Sequence, residues 1–142
     1  VGDGPERSNL ESLAEQLNVT VSVIFTGFQN HPADYLTLMD IFLLPSFTEG
    51  TSMTLLEAMS LGIPTVATRV GGTPEIVAAG ETGILIESNH QTEFTDALTR
   101  LIETPALREQ MAGKAKERFN QQFSAAQMVN QYKELYNTGI KH

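Results

Sequence analysis

The chain has 142 residues, a net charge of −8 and no cysteine. Its composition, 41% hydrophobic and 18% charged, is typical of one folded domain, and without cysteine it has neither disulfides nor thiolate metal sites. Residues 1–90 hold eleven carboxylates against two cations, which excludes the basic surface that a nucleic-acid partner needs. No apolar run approaches the roughly 18 residues of a membrane-spanning helix.

The hydrophobic pattern predicts helices and strands that alternate at short intervals. Such alternation favours an α/β fold, a Rossmann-like parallel sheet with right-handed crossover helices on both faces. In chain order, we predict a helix at 6–17, a strand at 19–25, a helix at 32–39, a strand at 41–44, a helix at 52–61, a strand at 64–68, a helix at 73–79, a strand at 83–87, and helices at 92–103, 105–119 and 124–136.

Local signals set several of the predicted boundaries. The strand at 41–44 has no polar alternation, so we expect both of its faces to be covered. Gly62 is the predicted C-terminal stop of the helix at 52–61. Thr73 is the predicted N-cap of the next helix, with Pro74 at its first position. The chain opens at Val1 on what reads as a strand end, so we expect a single domain, 1–142, truncated at its N-terminus.

Sheets of this kind bind ligands beyond the carboxyl ends of their strands, which directs attention to the loop after the strand at 41–44. Gly50 lets the backbone approach a ligand closely, and the N–H groups of 51–54 lie at the positive end of a helix dipole. Glu49 precedes this helix and Glu57 lies about five residues into it. A diphosphate over the N–H groups would then have one carboxylate on each side, one for a sugar diol and one for a ribose diol. The alternative is that both glutamates are solvated surface residues.

Five spaced motifs resemble one known family. They closely resemble the C-terminal signature of glycosyltransferase family four, the "group 1" retaining transferases, and the resemblance spans about residues 1–103. The motifs are Val1-Gly2-Asp3-Gly4-Pro5, Phe25-Thr26-Gly27-Phe28, Leu43-Leu44-Pro45-Ser46 with Glu49-Gly50, Leu55-Leu56-Glu57-Ala58-Met59, and Gly62-Ile63-Pro64-Thr65-Val66-Ala67-Thr68 followed by Gly71-Gly72-Thr73-Pro74-Glu75-Ile76.

The resemblance implies the C-terminal half of a GT-B fold and a nucleoside-diphosphate sugar as donor. It implies that Glu49 is the catalytic carboxylate and contacts sugar hydroxyls, while Glu57 binds the ribose. Ser52 stands where the family commonly has glycine. The glycine pairs Gly2/Gly4 and Gly71/Gly72 are otherwise typical of structural turns. The further donor-binding residues that the resemblance implies are Gly50, Thr51, Ser52, Met53 and Thr54 near the sugar and its β-phosphate, Gly27, Phe28 and Gln29 near the base, and Gly2 and Gly4.

Several family features are absent from the sequence. The Arg and Lys that hold the diphosphate lie upstream of the first motif, and neither Arg7 nor Arg69 replaces them. The acceptor domain is also absent, so we expect the chain alone to be inactive and to bind the donor weakly. There is no Asp-x-Asp pair, and His31, His90 and His142 lack metal-ligand spacing, so we expect exposed histidines, no cofactor and no metal requirement.

The predicted function is therefore that of a retaining glycosyltransferase in polysaccharide or glycoconjugate synthesis. The predicted partners are a nucleotide sugar and the missing acceptor domain. Any peripheral association with a membrane is expected to arise only through that domain. The expected location is the cytoplasm or the inner face of the cell membrane. The alternatives are a nucleotide-sugar 2-epimerase or a sugar phosphorylase of the same fold, and a noncatalytic flavodoxin-like binding module.

Overall fold

The computed structural model describes residues 1–139 and divides the chain into two compact units, Val1–Leu38 and Met39–His142. In the first unit, helix α1 spans Arg7–Gln16, a 3₁₀ turn spans Thr20–Ser22, and helix α2 spans Pro32–Leu36. Both predicted helices of this unit are confirmed, the second in a shorter form. Gly2 and Gly27 form an isolated antiparallel bridge.

The predicted strand at 19–25 is wrong. Its β-branched side chains are largely in solvent, with Val21 95% and Ile24 84% exposed. Strand propensity depends on cross-strand neighbours. Among residues 1–38, the only pairing near this segment is the isolated bridge between Gly2 and Gly27. Without a partner strand, the run folds locally into a 3₁₀ turn.

The second unit is an α/β layer structure in which three parallel strands lie in the order β1-β2-β3. This confirms the predicted fold class, with three strands in place of the four expected. Its elements are β1 Phe42–Leu44, α3 Met53–Leu61, β2 Thr65–Thr68, α4 Thr73–Ile76, β3 Gly83–Ile86, α5 Gln91–Glu103, α6 Pro105–Arg118, a π-helical turn Phe119–Phe123 and α7 Ala125–Gly139.

The core of the second unit forms around β2. All four residues of this strand are buried, so both of its faces are covered. Its register aligns Thr65 with Phe42 on one side and with Gly83 on the other, which brings the carboxyl ends of the three strands to one edge. One buried cluster joins the sheet to α5 and α6: Val66, Ile86, Ala97, Leu101 and Met111.

The structure corrects two local predictions and confirms a third. β1 is an edge strand and Leu43 is 39% exposed, so its faces are not both covered. Gly72, not Thr73, is the N-cap of α4, because the Thr73 hydroxyl turns back to the preceding loop. Gly62 ends α3 in the left-handed conformation, at φ 74°, as predicted.

Candidate functional site

Ser52 fixes where α3 begins. Its backbone is extended, and its hydroxyl accepts a hydrogen bond from the backbone N–H of Leu55 at 3.4 Å. The side chain is only 8% exposed, so this cap lies beneath the surface. Ser52 therefore acts as the N-cap, and the helix starts one residue later than the sequence predicts.

The N-terminus of α3 is open. Within residues 1–139, the backbone N–H groups of Thr51–Thr54 meet no hydrogen-bond acceptor. Thr51, Met53 and Thr54 are exposed residues, whereas Ser52 between them is buried. Four unpaired donors at the positive end of a helix are suited to an anion such as phosphate.

Glu49 lies just before this helix and is half-buried. The Ser46 hydroxyl donates a hydrogen bond of 2.8 Å to its Oε1 atom. The other carboxylate oxygen accepts no hydrogen bond within the described residues. One oxygen is thus fixed by the protein, and the other is available for a ligand hydroxyl.

Glu57 lies four residues after Met53, about 6 Å along the axis of α3 at 1.5 Å per residue. It is half-buried, and its carboxylate forms no ion pair and no hydrogen bond within the part of the chain that the structure describes. The open N-terminus of α3 therefore has a carboxylate on the loop before it and another on the helix after it.

The loop that follows β2 supports the loop that carries Glu49. The backbone N–H of Gly72 donates to the carbonyl of Gly50 at 3.1 Å. The Thr68 hydroxyl, at the end of β2, lies within hydrogen-bond distance of the carbonyls of Leu44 and Ser46. Neither Ser46 nor Thr68 was predicted as a site residue, although Ser46 lies three residues before Glu49 and Thr68 ends the adjacent strand.

Both cations of residues 1–90 are already paired. Arg69 lies 3.1 Å from Glu87, and Arg7 lies 2.8 Å from Glu11. A ligand phosphate on α3 would therefore rely chiefly on backbone N–H groups, as the sequence predicts.

The other predicted site residues belong to the first unit. The backbone N–H of Gly2 donates to the carbonyl of Gly27 at 2.9 Å, so the motifs at residues 1–5 and 25–28 are in contact. The Gln29 amide donates to the carbonyl of Thr26, and Phe28 is 76% exposed. Gly4 is exposed and caps no helix.

A cavity of about 550 Å³ lies at the carboxyl ends of the three strands. His90 borders it, and its Nδ1 lies 2.9 Å from Glu93; this hydrogen bond raises the pKa of His90. His31 and His90 are exposed as predicted, whereas His142 lies outside the described residues. The other lining residues are Pro45, Phe47, Thr68, Glu87, Asn89, Gln91, Phe94 and Thr95.

Within residues 1–139, no group of three or more His, Asp or Glu residues is arranged to hold a metal ion. None of the helices in this part of the chain has the length and hydropathy to span a bilayer.

Residues 1–118 match the family model described as "Glycosyl transferases group 1". The chain belongs to this family. Among curated proteins, N-acetyl-alpha-D-glucosaminyl L-malate synthase of Bacillus anthracis is 38% identical over 96% of the chain. The lipopolysaccharide core biosynthesis glycosyltransferase LpsD of Rhizobium meliloti is 30% identical over 99% of it. The chain spans 36% and 41% of the length of these two relatives.

The fold is also that of solved glycosyltransferase structures. The C-terminal domain of LpcC, a glycosyl transferase group 1 family protein from Francisella tularensis, aligns with a TM-score of 0.78 and 28% identity. That alignment covers 84% of this chain and 63% of the LpcC domain.

Proposed function

We propose that this chain is the nucleotide-sugar-binding domain of a retaining glycosyltransferase of family four, the C-terminal half of a GT-B fold. The observation that carries the proposal is the open N-terminus of α3, with Glu49 before it and Glu57 within it. It lies at the carboxyl end of β1, the edge at which parallel α/β sheets bind ligands.

Each part of a nucleoside-diphosphate sugar has a chemically suitable partner in this arrangement. The N–H groups of Thr51–Thr54 suit the diphosphate, whose negative charge increases as the sugar departs. The unpaired carboxylate of Glu57 suits the vicinal hydroxyls of ribose. Glu49 suits the transferred sugar, because a fixed carboxylate stabilises positive charge at the anomeric carbon in the transition state.

The C-terminal role is supported by the fold shared with the LpcC C-terminal domain. We place the acceptor site in the remainder of a longer protein, with the donor in the cleft between two domains that close on each other. The name of LpsD, a lipopolysaccharide core biosynthesis glycosyltransferase, supports a role in polysaccharide or glycoconjugate synthesis.

The two glutamates provide the test, because they would contact different parts of the donor. In the full-length enzyme, Glu57→Ala should weaken binding of the bare nucleoside diphosphate by about 1–3 kcal/mol, the range for a hydrogen bond to a charged group. Glu49→Ala should leave that affinity nearly unchanged but lower kcat/KM for the nucleotide sugar by roughly 100-fold or more. Calorimetry with UDP, GDP and ADP, alongside transfer kinetics, measures both.

Glu103→Ala is the matched control, because this exposed glutamate ends α5 and should change neither quantity. If Glu49→Ala weakened bare-nucleotide binding as much as Glu57→Ala, the proposed placement of the donor along α3 would be wrong.

Metal dependence gives a second test. We propose that helix N–H groups and protein cations, rather than a divalent ion, neutralise the diphosphate. Transfer by the full-length enzyme should then be unchanged by excess EDTA. Activity that disappears with EDTA and returns with Mn²⁺ or Mg²⁺ would contradict this.

A further inference from the structure

We propose that Gly71 and Gly72 are positioning residues that hold the Glu49 loop, residues 45–52, in its working conformation. The inference rests on the proposed function, since it gives these glycines a role in transfer through Glu49. Both glycines follow β2, and both contact the backbone of the loop that follows β1.

The contact is too close for any side chain. Gly71 has φ +50°, and a Cβ atom built on it would overlap with the carbonyl oxygen of Glu49. A Cβ atom on Gly72 would lie 2.7 Å from the carbonyl oxygen of Gly50, well inside normal contact distance. The Gly72 N–H also donates to that same oxygen at 3.1 Å. The two loops therefore touch backbone to backbone at successive residues.

The loop after β2 has more hydrogen bonds of its own than the Glu49 loop. Thr73 is fully buried, and its hydroxyl accepts from the Val70 N–H at 3.1 Å. The same hydroxyl lies 2.7 Å from the carbonyl of Thr68 and 2.8 Å from that of Val70. Because it has one proton, it donates to one of these two carbonyls at a time. A methyl group at Gly71 would therefore displace Glu49 more readily than the turn that holds Gly71.

Displacement of Glu49 would reach the proposed chemistry directly. Its carbonyl is the atom that Gly71 contacts, and its carboxylate is the group that Ser46 holds at 2.8 Å. The free N–H groups begin two residues later, at Thr51. A shift of about 1 Å in a positioned group costs on the order of 100-fold in rate, so we expect a loss of that size from Gly71→Ala.

The experiment uses the full-length enzyme and three alanine variants. Gly71→Ala adds the overlapping methyl group. Gly72→Ala keeps an ordinary backbone, at φ −80°, and tests the neighbouring contact without left-handed strain. Gly80→Ala is the control, because Gly80 is also left-handed, at φ +79°, but a Cβ there meets no atom within 4 Å.

Hydrogen exchange measured by mass spectrometry reports on the contact with the Glu49 loop independently of activity. Gly71→Ala and Gly72→Ala should accelerate exchange in the peptide that spans residues 69–76, because the N–H of residue 72 donates to the Gly50 carbonyl, whereas Gly80→Ala should not. If exchange in that peptide is unchanged in both variants, the positioning role is refuted. If Gly71→Ala fails to fold, Gly72→Ala still decides the question.

A double-mutant cycle then tests whether the effect on transfer acts through Glu49. Gly71→Ala should lower kcat/KM by about 100-fold in the wild type but by less than about threefold in a Glu49→Ala background, because linked residues are not additive. Fully additive losses would overturn the proposal. If Glu49→Ala alone left transfer intact, the proposed function would fail, whereas the exchange data would still show whether the glycines hold the loop.

Discussion

The loops after β1 and β2 leave the same edge of the sheet and differ in how they use their polar groups. Residues 45–52 and the first turn of α3 leave one carboxylate oxygen of Glu49 and the backbone N–H groups of Thr51–Thr54 without a hydrogen-bond partner inside residues 1–139. In residues 69–72, three of the four backbone N–H groups find acceptors within the protein, on Ile86, Thr73 and Gly50. The loops at adjacent strand ends thus differ: one leaves polar groups unpaired, and the other pairs most of its own and contacts the first.

This difference has a physical reason. Donors that are left unpaired do not stabilise the loop that carries them, so the loop needs support from elsewhere. The glycines of the second loop allow that support to come from backbone contact. The following predictions test the difference, beginning with the largest effect expected on a single loop.

Removal of the Thr73 hydroxyl should damage the supporting loop. Thr73→Val keeps the side-chain shape but leaves the Val70 N–H and the Thr68 carbonyl without that partner. Because Thr68 and Thr73 are both buried, the free energy of unfolding should fall by about 1–3 kcal/mol. Urea denaturation measures the loss.

Thr95→Val serves as the control, because the Thr95 hydroxyl is exposed and donates only to the Gln91 carbonyl of its own helix. Its effect should stay within about 0.5 kcal/mol. Equal losses of unfolding free energy in the two variants would show that the Thr73 hydroxyl does not stabilise the loop after β2 more than an ordinary surface hydroxyl stabilises its helix.

Removal of the Ser46 hydroxyl should loosen Glu49 without disturbing the nucleotide. In the full-length enzyme, Ser46→Ala should lower kcat/KM for the nucleotide sugar by about 3- to 10-fold, which corresponds to one hydrogen bond of about 0.5–1.5 kcal/mol. Affinity for the bare nucleoside diphosphate should not change. Ser60→Ala, which removes a hydroxyl bonded to the Glu57 carbonyl within α3, should leave both quantities unchanged; a loss equal to that of Ser46→Ala would contradict the assignment.

The smallest expected effect concerns the loop after β3 and the pKa of one histidine on it. This residue, His90, is exposed and hydrogen-bonded to Glu93, which raises the pKa of the imidazole. The pair therefore stabilises the fold fully below the ordinary histidine pKa of about 6.5, and this contribution disappears as the pH rises through the raised pKa. An NMR titration of His90 should show the raised pKa, and Glu93→Gln should lower it; an unchanged pKa in that variant would exclude Glu93 as the cause.

Much of the second unit could be predicted from sequence because its signals are local. The run at 64–68, bounded by proline and a polar residue, forms β2, and Gly62 ends α3 where a left-handed residue is required. The short, regular alternation of helix and strand specifies parallel pairing with crossovers. Glu49, Gly50 and Glu57 could be named as candidates because they match the motifs of the family that the sequence resembles.

Features that depend on distant partners were not predictable. The β-branched run at 19–25 has the propensity of a strand but no neighbouring strand among residues 1–38. Thr73 follows the usual N-cap pattern, yet its hydroxyl bonds to the turn before it. The contact of Gly71 with Glu49 joins residues 22 positions apart, so no local pattern contains it.

The order of the strands has a consequence for how the second unit is made. Phe42 pairs with Thr65, and Thr65 with Gly83, so each strand joins the one that precedes it in the chain. Each pairing closes a loop of about twenty residues, which costs little more entropy than a shorter loop would. On the ribosome, β1 and β2 can pair before β3 has been synthesised. The two strands whose loops carry Glu49 and its neighbouring glycines can therefore pair while the helices that cover the rest of the sheet are still being added.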